Sequence, residues 1–260
     1  MKPLTAGMAL AAATVLLLTG CSSDDESGGA KTTAPDTVTV TESVTESTVS
    51  QSVTTTTAAP KFSAGLGSRG GSWANGSTWN FSMPTLSGGS GTPARTGFDE
   101  AIDAAADRLV DGAKESDLPV TIGNGELGDE KTRAVVNHPA TLSGTLIVLT
   151  NTQGAAYPTT QVDAVVIDVQ TGEALTLDDV LTGEAARTAL AALAQTADTS
   201  GRLADASLDP AGFAQWIALP EGLHLYVPVA HVMGDYVPVT IPWNQVAPLL
   251  TPDARTLLAG

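Results

Sequence analysis

A chain of 260 residues with 28 acids, 12 bases and a single cysteine is long enough to bury one sizeable core without covalent staples. Its formal net charge of −16 repels nucleic acid and anionic lipid, and no nucleic-acid partner is expected. One cysteine leaves no internal disulfide framework and no cysteine-based zinc site.

The first element, residues 1–20, has the layout of a lipoprotein signal peptide. Lys2 supplies the positive start, and Met8 to Leu18 is an apolar run of 11 residues. That length suits a signal peptide and is too short to span a bilayer. Leu18-Thr19-Gly20-Cys21 follows at once and resembles the bacterial lipobox. Cleavage is therefore expected before Cys21, with lipid on its thiol. No other apolar run reaches the roughly 20 residues of a spanning helix. The expected location is the extracytoplasmic face of the cell membrane, held there by lipid alone, and a stable hold takes more than one acyl chain.

Residues 21–72 are expected to be a disordered tether. Ser22 to Lys61 is rich in Thr, Ser, Ala and Val, with no Phe, Tyr, Trp, Leu or Ile to anchor a core. Alternation such as Thr37-Val38-Thr39-Val40-Thr41 has strand propensity, and a strand is the structural alternative there. As a random coil, about 40 such residues reach on the order of 35 Å. Phe62 to Gly91 is Gly- and Ser-rich but holds Trp73, Trp79, Phe81 and Met83, which places the start of the folded domain near Trp73.

Residues 73–260 carry the signs of one domain. A helix is expected from Thr96, acting as N-cap, with Phe98, Ile102, Ala105, Leu109 and Ala113 on one face and Asp99, Asp103, Asp107 and Asp111 on others. Strands are expected at Ala134–Val136, Ala140–Thr150 and Val162–Val169, the last closed by a turn at Gln170-Thr171-Gly172. A second helix is expected from Gly183 to Ala197, capped by Thr182. Phe213–Leu219, Leu223–Val227 and Tyr236–Ile241 read as closing strands, and Pro248 and Pro252 break up a helical tail. Without regular βα alternation, the pattern predicts an α+β fold, a largely antiparallel β-sheet packed with a few helices.

Several stretches carry a family resemblance. They are Thr141–Thr145, Gly154–Pro158, Asp168–Leu181, Leu219–Val227 and Tyr236–Trp243, the most specific being Thr171-Gly172-Glu173-Ala174-Leu175-Thr176-Leu177-Asp178-Asp179-Val180-Leu181 and the closing hairpin. In this order they resemble the extracytoplasmic domain of the lysozyme-sensing anti-sigma factors, the RsiV-like or DUF3298 family. They are also similar to mycobacterial secreted immunogenic proteins. The resemblance covers roughly Trp79 to Leu258 and implies an α+β domain with a binding role rather than catalysis. Many relatives carry a histidine where this chain has Tyr157. With neither a spanning helix nor a cytoplasmic segment expected, control of a sigma factor does not carry over.

The residues themselves point the same way. Asp178-Asp179 could hold a metal or act as an acid–base pair, or satisfy backbone donors near a helix start; two carboxylates fall short of a calcium loop. Gly128-Asp129-Glu130 reads as a solvated turn. His138, His224 and His231 lack neighbours at metal-ligand spacing, and structural roles are expected of all three. Neither Ser87 nor Ser143 sits in a G-x-S-x-G elbow, and there is no P-loop or dinucleotide fingerprint. No catalytic residue, metal site or cofactor is assigned. From Phe62 onward, 22 acids face nine bases, a formal net charge of −13, which suits a cationic partner or plain solubility. Three functions follow: a surface-tethered binding module for a cationic protein such as lysozyme or for a cell-wall component, an envelope hydrolase with an unrecognised site, and an accessory structural envelope lipoprotein.

Overall fold

The computed structural model describes residues 61–137, 140–204 and 206–259. Cys21, nearly all of the expected tether and His138 lie outside those residues. The described chain is α+β with largely antiparallel sheets. Its first strand, β1 (Ser63–Ser72), pairs along ten residues with β2 (Thr78–Ser87). The expected domain start at Trp73 is thus corrected to about Phe62. β1 escapes a hydropathy reading because Gly, Ser and Ala dominate it and its side chains are almost all exposed. What holds it is its ladder to β2, whose Phe81, Met83 and Leu86 face the core.

Helix α1 spans Pro93–Lys114. Thr92, not Thr96, is its cap and accepts from the Arg95 amide at 3.3 Å. Proline at the first helical turn gives up a donor that has no partner there anyway, which favours this earlier start. Ala94, Phe98, Ile102, Ala105, Val110 and Ala113 form its buried stripe. At its far end Asn75 Nδ2 donates to Ala113 O at 2.9 Å and Ser116 O at 3.0 Å, while Ser77 Oγ donates to Ala113 O at 3.1 Å. These bonds serve carbonyls that a helix C-terminus otherwise leaves bare.

The remaining strands of the first sheet are β3 (Val120–Asn124), β6 (Arg133–Asn137), β7 (Thr141–Thr152) and β8 (Thr159–Asp168). β7 is central. β8 lies along one of its edges, and β3 and β6 lie end to end along the other. Between β3 and β6 the chain leaves the sheet as a flap of two two-residue strands, β4 (Glu126–Leu127) and β5 (Glu130–Lys131). The contact of β2 with β3 is parallel and short, Thr78 with Thr121 and Trp79 with Ile122.

After β8 the chain turns at Asp168–Gly172, where Asp168 Oδ1 accepts from Gln170 N at 2.6 Å and Gly172 takes φ +78°. Helices α2 (Leu177–Val180) and α3 (Glu184–Ala197) follow. The expected Thr182 cap is corrected: Gly183 occupies the cap position, and Thr182 Oγ1 donates instead to Leu249 O at 3.1 Å. A second sheet contains β9 (Trp216–Leu219), β10 (Gly222–Pro228) and β11 (Tyr236–Pro242), with β10 in the middle. The tail forms α4 (Trp243–Val246) and α5 (Pro252–Leu258). Pro252 opens α5 behind the Thr251 cap rather than only interrupting a helix.

Side-chain alternation stacks these elements in four layers. Leu142, Leu146 and Val148 of β7 share a core with α1, and a β-carbon on Gly144 would fall 2.5 Å from Ile102 Cδ1. Ser143, Thr145 and Ile147 point to the other face, toward the second sheet: Ser143 Oγ accepts from Ala218 N at 3.3 Å. β10 divides likewise. Leu223, Leu225 and Val227 share a core with Leu190 and Ala194 of α3, whereas His224 and Tyr226 face the first sheet. The order is therefore α1, first sheet, second sheet, α3. Each fully buried Phe, Leu or Ile side chain contributes about 1.5–3 kcal/mol.

Candidate functional site

Two loops meet at one end of the sheets. Gln153–Pro158 joins β7 to β8, and Val229–Asp235 joins β10 to β11. Asp235 ties the second loop to the start of β8, just past the first loop. Its Oδ2 accepts from Thr160 N at 2.7 Å, its Oδ1 lies 2.7 Å from His231 Nδ1, and its carbonyl accepts from Val229 N at 2.8 Å. Asp235 does so at φ +65°, alone in that region among the described non-glycine residues. A left-handed aspartate costs energy that the surrounding contacts must offset. Arg202 Nη1 props the second loop from behind through Met233 O at 3.0 Å.

Two large apolar side chains of these loops stand in solvent. Tyr157 is 73% exposed and Val232 is 92% exposed. The Tyr157 ring sits 6.4 Å from the His231 ring, so the two loop tips form one surface. Single exposed apolar residues are ordinary. Here an aromatic and a β-branched side chain stand exposed on two neighbouring loops.

The electrostatics outside this surface are acidic. Asp99, Asp103, Asp107 and Asp111 recur every four residues along α1, a spacing that costs a few tenths of a kcal/mol per like-charge pair. Arg95 and Arg69 relieve it at Asp99 and Asp107. Arg108, Lys131, Arg133 and Arg187 are also paired with carboxylates, and Arg255 donates to Ala247 O and Leu250 O. The described cations are thus largely committed to local partners, and the excess acids face solvent.

A second polar group lies inside. His224, 3% exposed, has Nδ1 2.7 Å from Thr240 Oγ1 and Nε2 3.0 Å from Glu130 Oε1. Tyr226 OH donates to Glu130 Oε2 at 2.9 Å and lies 3.4 Å from Thr145 Oγ1; Arg133 Nη2 lies 3.3 Å from Glu130. Burial works to raise the Glu130 carboxyl, but the bonds and charge of His224, with Arg133 and Tyr226, hold it below its ordinary 4.5. Burial first, then the Glu130 charge, pushes the Tyr226 phenol well up, and it stays a neutral donor. Glu130 corrects the expectation of a solvated turn at Gly128-Asp129-Glu130: its side chain is turned inward and only 21% exposed. His224 and Tyr226 alternate along β10 and so share a face, and nothing in the sequence tied Glu130 to a strand 94 residues later.

The other residues singled out in the sequence resolve into structural roles. Asp179 forms a capping box with Thr176, accepting from Thr176 N at 2.8 Å, and Asp178 pairs with Arg187. Ser87 ends β2 and Ser143 is buried between the sheets. Among the described residues, no group of three or more His, Asp or Glu side chains is placed to hold a metal ion.

No protein-family model and no curated protein matches the sequence. Among solved structures, the chain is similar to a DUF3298 family member from Bacteroides fragilis, with 13% identity and a TM-score of 0.46 over 78% of this chain and 98% of that one. A DUF3298 family protein from Pseudomonas aeruginosa is similar at 15% identity and a TM-score of 0.43, over 75% of this chain and 95% of that one. The chain is similar to DUF3298 structures.

Proposed function

We propose that this chain is a cell-surface lipoprotein whose folded domain is a binding module. Lipid on Cys21 fixes it to the extracytoplasmic face of the membrane, and the residues before Phe62 carry the domain away from the bilayer. The loop tips bearing Tyr157 and Val232 are the contact surface, and the ligand is a cationic protein such as lysozyme, or a cell-wall component. The observation that carries this reading is the Asp235 clamp. In a left-handed conformation it holds the Val232 loop against the start of β8, beside the loop that bears Tyr157, and both side chains stand exposed. The acidic surround supports a cationic ligand, since it speeds encounter and rejects anionic competitors.

Binding of the full chain to immobilised lysozyme, read at low and high salt, tests the proposal. Tyr157→Ala with Val232→Ser is expected to weaken binding about thirtyfold, the size of a central aromatic contact, with the melting temperature unchanged. Added salt is expected to slow association, because exposed charges are screened beyond about 8–10 Å at 0.10–0.15 M. No binding at low ionic strength retires lysozyme as the ligand and leaves cell-wall fragments as the next probe. Equal binding by the double variant retires the loop surface.

A further inference from the structure

The flap between β3 and β6 is a small element with few ties. β4 and β5 are two residues each, and a hairpin of that size has no stability of its own. Its two ends are both fixed on Ile147 of β7. Gly125 N donates to Ile147 O at 3.0 Å, and Ile147 N donates to Thr132 Oγ1 at 2.9 Å. Between these hinges, two side chains hold the flap down. Leu127 is buried against a cluster of Ile147, Val162, Ile217, Leu219 and Tyr226. Glu130 reaches the polar group of His224 and Tyr226 between the two sheets. Arg133 of β6 adds an ion pair to Glu130 at 3.3 Å, whereas the pair of Lys131 with Glu126 at 3.5 Å lies within the flap and in solvent.

We propose that the flap is an acid-released strap, closed across the inter-sheet edge while Glu130 is ionised and opened when its carboxylate takes up a proton. The charged and titratable groups facing Glu130 are His224 and Tyr226 from β10 and Arg133 from β6; Thr145 of β7 and Thr240 of β11 complete the group. Glu126, Asp129 and Lys131 belong to the flap itself. Each bond to the ionised carboxylate is charge-assisted and about twice as strong as its neutral counterpart. One proton therefore weakens the bonds from Tyr226, His224 and Arg133 together. Leu127 then carries most of the hold between the two hinges, and opening of the strap uncovers the His224 ring and the apolar cluster beneath.

The sign follows from linkage. The carboxyl is held below its ordinary 4.5 when the flap is closed, so the closed form is favoured above that pH. The advantage is lost as the pH falls from 4.5 toward the closed-state value. In that window the opening constant rises by up to about tenfold per pH unit for one proton.

Hydrogen exchange of the full chain tests this, with the amides of Gly125–Thr132 compared with those of Leu142–Val148 in β7 and corrected for intrinsic exchange chemistry. Flap protection is expected to fall with that slope below about pH 4.5 while β7 stays protected. Glu130→Gln, which keeps the shape and removes the charge, is expected to open the flap already at pH 7 with no further acid response. Leu127→Ala is expected to loosen the flap at every pH and keep the acid slope. A wild-type flap whose protection tracks β7 through the whole range overturns the proposal, and so does a wild-type pH profile in Glu130→Gln. Should Glu130→Gln fail to fold, the wild-type and Leu127→Ala profiles decide alone.

Discussion

Substituting Gly172 tests whether the turn after β8 is held by close approach to α1. Gly172 sits at φ +78°, where an L-residue costs roughly 1–2 kcal/mol. A β-carbon there would also lie 2.4 Å from the backbone carbonyl carbon and oxygen of Pro93, atoms that cannot rotate away. The reverse contact is as tight: a β-carbon on Gly97 would fall 2.0 Å from Gly172 O. The first turn of α1 must therefore shift, and such overpacking costs about 1–3 kcal/mol. Gly172→Ala is expected to lose about 2–5 kcal/mol in all, which for a domain of this size lowers Tm by roughly 4–20 °C. Gly201→Ala separates the two causes. Gly201 has φ +74° with nothing within 4 Å, and this variant is expected to lose only the backbone part, about 1–2 kcal/mol. Thermal unfolding followed by circular dichroism reads both. Equal melting temperatures for the two variants would refute the contact between turn and helix.

Asn75→Ala removes the amide that serves the last carbonyls of α1; a loss of about 1–3 kcal/mol is expected in chemical denaturation, with the slope against denaturant unchanged. Thr176→Ala dissolves the capping box and is expected to cost about 0.5–2 kcal/mol. The hydrogen bonds from Thr176 hold the Asp179 carboxyl below its ordinary 3.8. Stability from that source is therefore present above 3.8 and lost on acidification, and the acid limb of a stability–pH curve should be shallower in Thr176→Ala. Cys21→Ala is expected to release the protein from the membrane fraction or leave its precursor uncut, as read by fractionation and blotting; unchanged processing and retention would defeat the lipoprotein proposal.

Most of the fold was legible because its elements obey a period. The stripe Phe98, Ile102, Ala105 and the apolar run of β7 each match one geometry, and hydropathy alone places them. What was hidden had no such period. β1 is built from small residues that bury little, and only its register with β2 explains it. β7 is buried on both faces for its first eight residues, which accounts for Ser143 and Thr145 in a strand that hydropathy reads as uniformly internal. At the candidate site, Tyr157 stood out through the family pattern and Val232 did not, because exposure on a loop leaves no trace in composition. The inward turn of Glu130 was equally hidden, since its partners lie on a strand far along the chain.

The first strand has a mechanical meaning. Phe62 is seated beside Gly89, and the Lys61 carbonyl passes so close to Gly88 that neither glycine position has room for a β-carbon. Directly after this seat the chain enters ten consecutive pairings with β2. Any tension delivered from the N-terminal side is met first by that seat and then by the β1 ladder, before it can reach α1 or either core. β1 is thus the first element of the domain to meet such a pull, ten residues of pairing ahead of everything that follows it.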